Sequence, residues 1–251
     1  MKKKFNHEFL NIETDIDAFI HDFDRSTNSI KDARNKLKLF TLKDGLVVNI
    51  KSFKVPNLLN QVIYNFFRKS KAQRSFEYAV KLLDINIGTP NPIAYYEFKT
   101  QFLFKRSFYV SEQLDYDLTF RELTKDFNYP DHDKILRSFT RFTYRLHENN
   151  IHFLDHSPGN TLIKKSGEAY DFYLVDLNRM NFESLDFETR IKNFSRLTIH
   201  KPIVEVMSDE YSKCSGEDYN KIVDLMWRET EAFRGKFYRK KRIKKKLLFW
   251  R

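Results

Sequence analysis

Five side chains could serve one reaction: Lys51, Glu77, Asp155, Asn160 and Asp176. Asp155 and Asn160 bracket the polar loop Asp155-His156-Ser157-Pro158-Gly159-Asn160, which lies between the apolar residues Ile151, Phe153, Leu154 and Leu162, Ile163. Asp176 ends the apolar run that starts at Phe172, and Lys51 ends the β-branched run Val47-Val48-Asn49-Ile50. Glu77 lies beside a helical stripe of Phe76, Ala79, Val80 and Leu83. Such a set suits phosphoryl transfer. That reaction needs a carboxylate to orient an acceptor hydroxyl, oxygen ligands for Mg²⁺ and a cation on the nucleotide phosphates.

Each residue also has a plainer reading. A lone Asp-to-Asn loop containing Pro and Gly is usually a turn. Here the spacing, the long helix before the loop and Asp176 after it together favour function. Kinases place the base Asp five residues before a Mg²⁺-binding Asn, with a second metal-binding Asp after a following strand. Asp155, Asn160 and Asp176 fit that order, which gives Asp155 the catalytic role and Asn160 and Asp176 the metal. Lys51 matches the strand lysine that contacts the phosphates, and Glu77 is the acidic residue of the next suitable helix that could hold it. Lys54 rivals Lys51 but lies three positions on, facing the other side. Glu77 also reads as a surface helix residue, and Arg179 as either a phosphate contact or a surface cation. His152 and His156 are spaced for a shared helix face, but they stand in a strand and loop, which disfavours a zinc site.

Composition bounds the options. The chain has 251 residues, enough for one large domain or two small lobes. Gly occurs only 6 times, so a Gly-rich phosphate loop is excluded. One cysteine, Cys214, allows no internal disulfide and fits a reducing compartment. No secretory signal opens the sequence, and no run nears the roughly 18 apolar residues of a membrane span. These features predict a cytoplasmic protein. The net charge is +11, concentrated between Arg234 and Arg251, where ten Lys or Arg occur without any Asp or Glu. That tail points to a polyanionic partner or serves only as a solvated, solubilising end. In a helix, Ile243, Leu247 and Trp250 would share one face, which suits an anionic membrane surface.

The pattern along the chain predicts an order of elements. Residues 12–34 read as polar and mixed. A hairpin follows, with strands at 36–42 and 46–53 around the turn Lys43-Asp44-Gly45. Helices are predicted over 58–69 and 71–86, then two strands before a long helix over 131–149. The Asp155–Asn160 loop is predicted inside a β-hairpin, followed by a strand over 171–177 and a mostly helical remainder. The expectation is an α+β, protein-kinase-like two-lobe fold. A small antiparallel-sheet N-lobe over 1–112 precedes a mainly helical C-lobe over 113–251.

Three stretches resemble the lipopolysaccharide kinase family, the Kdo and heptose kinases of the lipopolysaccharide inner core. They are NIKSFKVPNLLNQVIYNFFRKSKAQRSFEYAVKLLDINIGTPNPIA, HENNIHFLDHSPGNTLI and YLVDLNRMNF. The resemblance implies ATP and Mg²⁺ as cofactors and a lipid-A-linked core oligosaccharide as acceptor. It also implies action at the inner face of the inner membrane. Departures from protein kinases are visible. Phe153 stands where a kinase has His, the D-F-G triplet is Asp176-Leu177-Asn178, and no A-P-E follows. They argue against a regulated protein kinase and keep a pseudokinase open. An aminoglycoside- or choline-type kinase shares the Asp and Asn logic, but the excess of cations suits an anionic acceptor better. A non-enzymatic nucleic-acid binder would need a recognition module, and the sequence contains none.

Overall fold

The structure is a computed structural model that describes residues 1–26, 29–32 and 35–248. The chain forms two compact units. The first holds residues 1–115 together with 176–178, and the second holds 116–175 and 179–251.

The first unit is built on a six-stranded antiparallel sheet. Its strands are β1 (Lys2–Phe5), β2 (Ser29–Asp32), β3 (Lys36–Thr41), β4 (Val47–Phe53), β5 (Pro92–Lys99) and β6 (Phe104–Glu112), in spatial order β1-β5-β6-β4-β3-β2. The β3–β4 hairpin turns at Gly45, whose φ of +89° is open to glycine at no steric cost. Side chains alternate across β4. Val48 and Ile50 point into a core with Ile16, Ile20 and Phe23, while Phe53 joins Ala72, Phe76 and Tyr95 in a second cluster. The first core is covered by α1 (Glu13–His21). The second is covered by α3 (Lys71–Asp84), which follows the short helix α2 (Leu58–Phe66). The side chains of Asn57 and Ser70 cap α2 and α3 by accepting from the main-chain N–H groups of Asn60 and Gln73.

Two expectations change here. Residues 12–34 are not merely polar, because Ile12, Ile16 and Ile20 recur every four residues and are buried with Phe23. The intervening charges masked that stripe. The basic start forms an edge strand, and its Lys2 lies opposite Glu97 of β5. The first helix after the hairpin stops at Phe66, short of residue 69.

The second unit packs helices around two small antiparallel sheets. Its strands are β7 (Leu118–Thr119), β8 (Ile151–Phe153), β9 (Thr161–Ser166), β10 (Ala169–Leu174) and β11 (Met180–Phe182). Its helices are α4 (Phe120–Leu123), α5 (His132–Glu148), α6 (Phe187–Lys192), α7 (Lys201–Ser215) and α8 (Tyr219–Leu248). The α5 stripe of Ile135, Leu136, Phe139, Phe142 and Leu146 forms the buried seam. Phe139 meets Phe120 with ring centroids 4.4 Å apart. The loop over 154–160 does not close a hairpin. β8 pairs with β11, whereas β9 pairs with β10 and β7, so the loop links two different sheets.

A polar network lies within this core. The Nδ1 atom of His147 is 3.0 Å from the Tyr211 hydroxyl, and its Nε2 atom is 3.3 Å from the Asn193 carboxamide oxygen. The Asn193 amide donates in turn to the Phe153 carbonyl at 2.9 Å. This chain ties α5, α7 and residue 193 to the end of β8. His156, fully buried against Phe139, Phe153 and Phe194, lies just beyond that end. Burial disfavours the imidazolium of both histidines, lowering His147 to about 3 and His156 to about 4.

This predicts an acid-labile fold. Between about pH 6.5 and pH 4 the unfolded chain takes up protons that the folded chain refuses. Stability is therefore full above pH 6.5 and falls as the pH drops, by up to roughly 1.4 kcal/mol per pH unit for each histidine. Urea unfolding at pH 7 and pH 5 is expected to show a lower midpoint at pH 5. His156→Phe is expected to shrink that gap, and an unchanged gap would contradict the assignment.

Candidate active-site residues

In the first unit, β4 carries Lys51 on the same face as Phe53, opposite Tyr109 of β6. Its ammonium lies 2.7 Å from Oδ1 of Asp176 and 5.4 Å from the centre of the Phe53 ring. Both partners of the ion pair are partly shielded from solvent. β10 ends at Leu174, earlier than the sequence predicts, so Asp176 lies beyond the strand. Its φ is +63°, in the left-handed region. Aspartate enters that region more readily than most residues, at a cost on the order of 1–3 kcal/mol where the surroundings enforce it. The Asn178 amide donates to the same Asp176 Oδ1 at 2.6 Å.

Glu77 sits elsewhere. Its carboxylate accepts from Lys69 at 2.8 Å and from Gln73 at 2.9 Å. Burial alone would raise this carboxyl, but the hydrogen bonds from Lys69 and Gln73 outweigh burial and hold it below its ordinary value. The structure does not bring Glu77 to Lys51. The reason is local, since Lys69 lies within reach of Glu77 and Lys51 is engaged by Asp176. Lys54 is exposed and lines a cavity of about 430 Å³ with Phe53, Pro56, Tyr64 and Ser107. Lys51 does not line this cavity.

In the second unit, Asp155 and Asn160 belong to one closed loop. The Asn160 amide donates to the Asp155 carbonyl at 2.8 Å, and the Asn160 N–H donates to the Ser157 carbonyl at 2.9 Å. The Val175 N–H donates to the Asn160 carbonyl at 3.0 Å, one residue before Asp176. The Asp155 carboxylate pairs with Arg196 at 2.8 Å, and the same guanidinium donates to the Leu154 carbonyl at 2.9 Å. Arg196 thus sets both the backbone and the side chain at the start of the loop. At its far side the exposed Arg121 guanidinium lies against Gly159, so a Cβ there would oblige that side chain to move. The Arg121 N–H also donates to the Pro158 carbonyl at 3.0 Å.

Arg179 is exposed, and its carbonyl accepts from the Leu154 N–H at 3.1 Å. Arg196, Asn178 and Arg121 are additions that sequence spacing did not single out. Arg196 lies 41 positions from its partner, so only the folded chain reveals the pair.

The donor chemistry fits a Mg²⁺-nucleotide. In the first unit Asp176 offers a hard oxygen, as this cation prefers, beside the Lys51 ammonium, a point charge suited to phosphate; in the second unit Asn160 carries a carboxamide oxygen of the same hard class. Among the described residues, no group of three His, Cys, Asp or Glu side chains gathers into an all-protein metal cage. A Mg²⁺ site with one or two protein ligands plus phosphates does not require one.

Residues 56–222 match the model of the lipopolysaccharide kinase (Kdo/WaaP) family. Among solved structures, the chain is similar to WaaP in complex with acyl carrier protein. The identity is 14% and the TM-score 0.63, over 92% of this chain and 99% of that one. It is also similar to a Rio2 kinase-ADP/Mg²⁺-phosphoaspartate complex from Chaetomium thermophilum. There the identity is 14% and the TM-score 0.49, over 92% of this chain and 73% of that one. No curated protein sequence matches. The likeness to WaaP shows a kinase-like fold. The family match covers well over half of the chain, so the chain belongs to the lipopolysaccharide kinase (Kdo/WaaP) family and is a phosphotransferase for a sugar hydroxyl of the lipopolysaccharide core.

Proposed function

We propose that this kinase uses Mg²⁺ and ATP to phosphorylate a lipid-A-linked core sugar, with Asp155 as the catalytic base. The observation that supports the reading is the Lys51–Asp176 ion pair, an ammonium 2.7 Å from a carboxylate oxygen. In this reading Lys51 holds the nucleotide phosphates, and Asn160 and Asp176 supply oxygens to Mg²⁺. The bound ion neutralises charge on the transferring phosphoryl group. Asp155 orients the acceptor hydroxyl and accepts its proton, while Arg196 keeps its carboxylate in place. Residues 1–112 then serve as the nucleotide lobe and 113–251 as the catalytic lobe. Glu77 would have to leave Lys69 before it could support Lys51, so its assignment as nucleotide support stays secondary to that of Asp176.

The acceptor is lipid-linked, which places the reaction at the cytoplasmic face of the inner membrane. No described helix is long and apolar enough to cross a membrane. The C-terminal part of α8 supports a peripheral attachment. Past Thr230 the helix leaves the core, with Phe237, Tyr238 and Ile243 about half exposed among the cations. Trp250, expected on the apolar face with Ile243 and Leu247, lies outside the described residues. Each cation near an anionic surface contributes roughly 1 kcal/mol.

Asp155→Asn is expected to lower turnover by about 10² to 10⁴ while Mg·ATP still binds. Near-normal turnover would remove Asp155 from the base role. Asn160→Ala and Asp176→Ala are expected to weaken Mg·ATP binding in a calorimetric titration, and unchanged affinity in both would refute the metal assignment. Lys51→Ala is expected to reduce activity far more than Lys54→Ala or Glu77→Gln. Equal losses in all three would mean that the wrong lysine was chosen. Truncation after Arg234 is expected to spare activity on a water-soluble acceptor and to reduce co-sedimentation with anionic vesicles. Equal sedimentation of the two forms would take the membrane role from the tail.

A further inference from the structure

The helix α2 leaves much of its apolar surface exposed. Its buried residue is polar: Gln61 is 8% exposed, and its amide donates to the Pro56 carbonyl at 2.9 Å. Ile63 and Tyr64 are half-buried, but the other large apolar side chains face solvent. Leu58 is 69% exposed, Leu59 72%, Phe66 57% and the following Phe67 82%. Leu58, Val62 and Phe66 recur every four residues and share one face. The turn between β5 and β6 extends the patch. The Asn65 amide donates to the Gln101 carbonyl at 3.2 Å, and the adjacent Phe102 is 63% exposed. A surface helix normally buries its apolar stripe. A run of exposed Leu and Phe of this size marks an interaction surface.

Charge identifies the occupant. From Lys51 to Phe76 the sequence holds six Lys or Arg and no Asp or Glu; Lys51 and Lys69 pair with Asp176 and Glu77, while Lys54 and Arg68 are exposed beside the patch. The turn strands add the exposed Lys105, whereas Lys99 and Arg106 are paired with Glu97 and Asp24. Exposed Phe and Leu framed by cations are what an interfacial helix presents to acidic head groups and the first acyl carbons. We infer that the α2 face, with Phe102, docks onto an anionic lipid bilayer as a membrane contact of the first unit, separate from the C-terminal tail. The inference rests on the lipid-linked acceptor proposed above for its purpose, and on exposure and charge for its chemistry.

The test uses the full chain. Phe66→Ser with Phe67→Ser alters two exposed side chains, so the thermal midpoint should not move. Co-sedimentation with vesicles of phosphatidylglycerol and phosphatidylethanolamine should fall at least fivefold relative to the unaltered chain. Activity on a water-soluble acceptor should stay unchanged. Separately, Phe67→Trp on the full chain should show added fluorescence quenching by brominated lipids, beyond that of the native tryptophans. That readout separates insertion of α2 from binding through the tail. Unchanged sedimentation and no added quenching would overturn the proposal. So would a concentration-dependent dimer that the double substitution dissolves, since a second copy of the chain would then cover the face. Loss of soluble-acceptor activity in the unaltered chain would count against the kinase reading alone and leave the vesicle results standing.

Discussion

The first unit depends on one ion pair. Lys51 reaches Asp176 at 2.7 Å only because two separate constraints meet. The register of β4 between β3 and β6 sets the lysine, with Tyr109 and Leu37 directly across from it. A left-handed backbone at residue 176 sets the carboxylate, with the Asn178 amide as its second donor. Each charge is partly withdrawn from water, and removing either would leave the other without its partner, which is the expensive outcome for a shielded charge. A backbone conformation that most side chains avoid is kept where it aims a carboxylate at a lysine. That coincidence points to use rather than to packing.

The second unit solves a related problem by different means. The loop that carries Asp155 is held by its own turn hydrogen bonds and also from the residues that precede it. Neutral His147 and Asn193 hold the end of β8 through the Phe153 carbonyl. Arg196 grips the next carbonyl and the Asp155 carboxylate together. Apolar burial keeps both histidines uncharged, so this support weakens in acid. Apolar packing, hydrogen bonds and ion pairing thus act within a few residues of Asp155, and the loop inherits its rigidity from α5 and α7.

Much of this was legible in the sequence. Alternation and the Asp44-Gly45 turn identified the β3–β4 hairpin, and the helical stripes identified α3 and α5 within two residues of their ends. The spacing of Asp155 and Asn160 singled out the loop, and Lys51 stood at the close of the run Val47-Val48-Asn49-Ile50 within its strand. What sequence could not supply was long-range pairing. Nothing local shows that Lys51 meets Asp176 while Glu77 takes Lys69, or that Arg196 returns to Asp155. The hairpin expected around the loop failed for the same reason, because strand partners are chosen by the whole fold. The α1 stripe was present at four-residue spacing but was diluted by Glu13, Asp15 and Asp17. The left-handed turn at Asp176 has no Gly to announce it.

The kinase-like fold, the paired lysine and aspartate and the anchored loop lead to one claim: the chain adds phosphate to a core sugar. The direct measurement is mass spectrometry of a lipid-A-linked inner-core acceptor after incubation with the protein, Mg²⁺ and ATP labelled in the γ-phosphoryl oxygens. The account predicts one labelled phosphate on a core sugar for each ADP released. ADP released without label on the acceptor, or an acceptor unchanged under conditions where Mg·ATP binds, would contradict it.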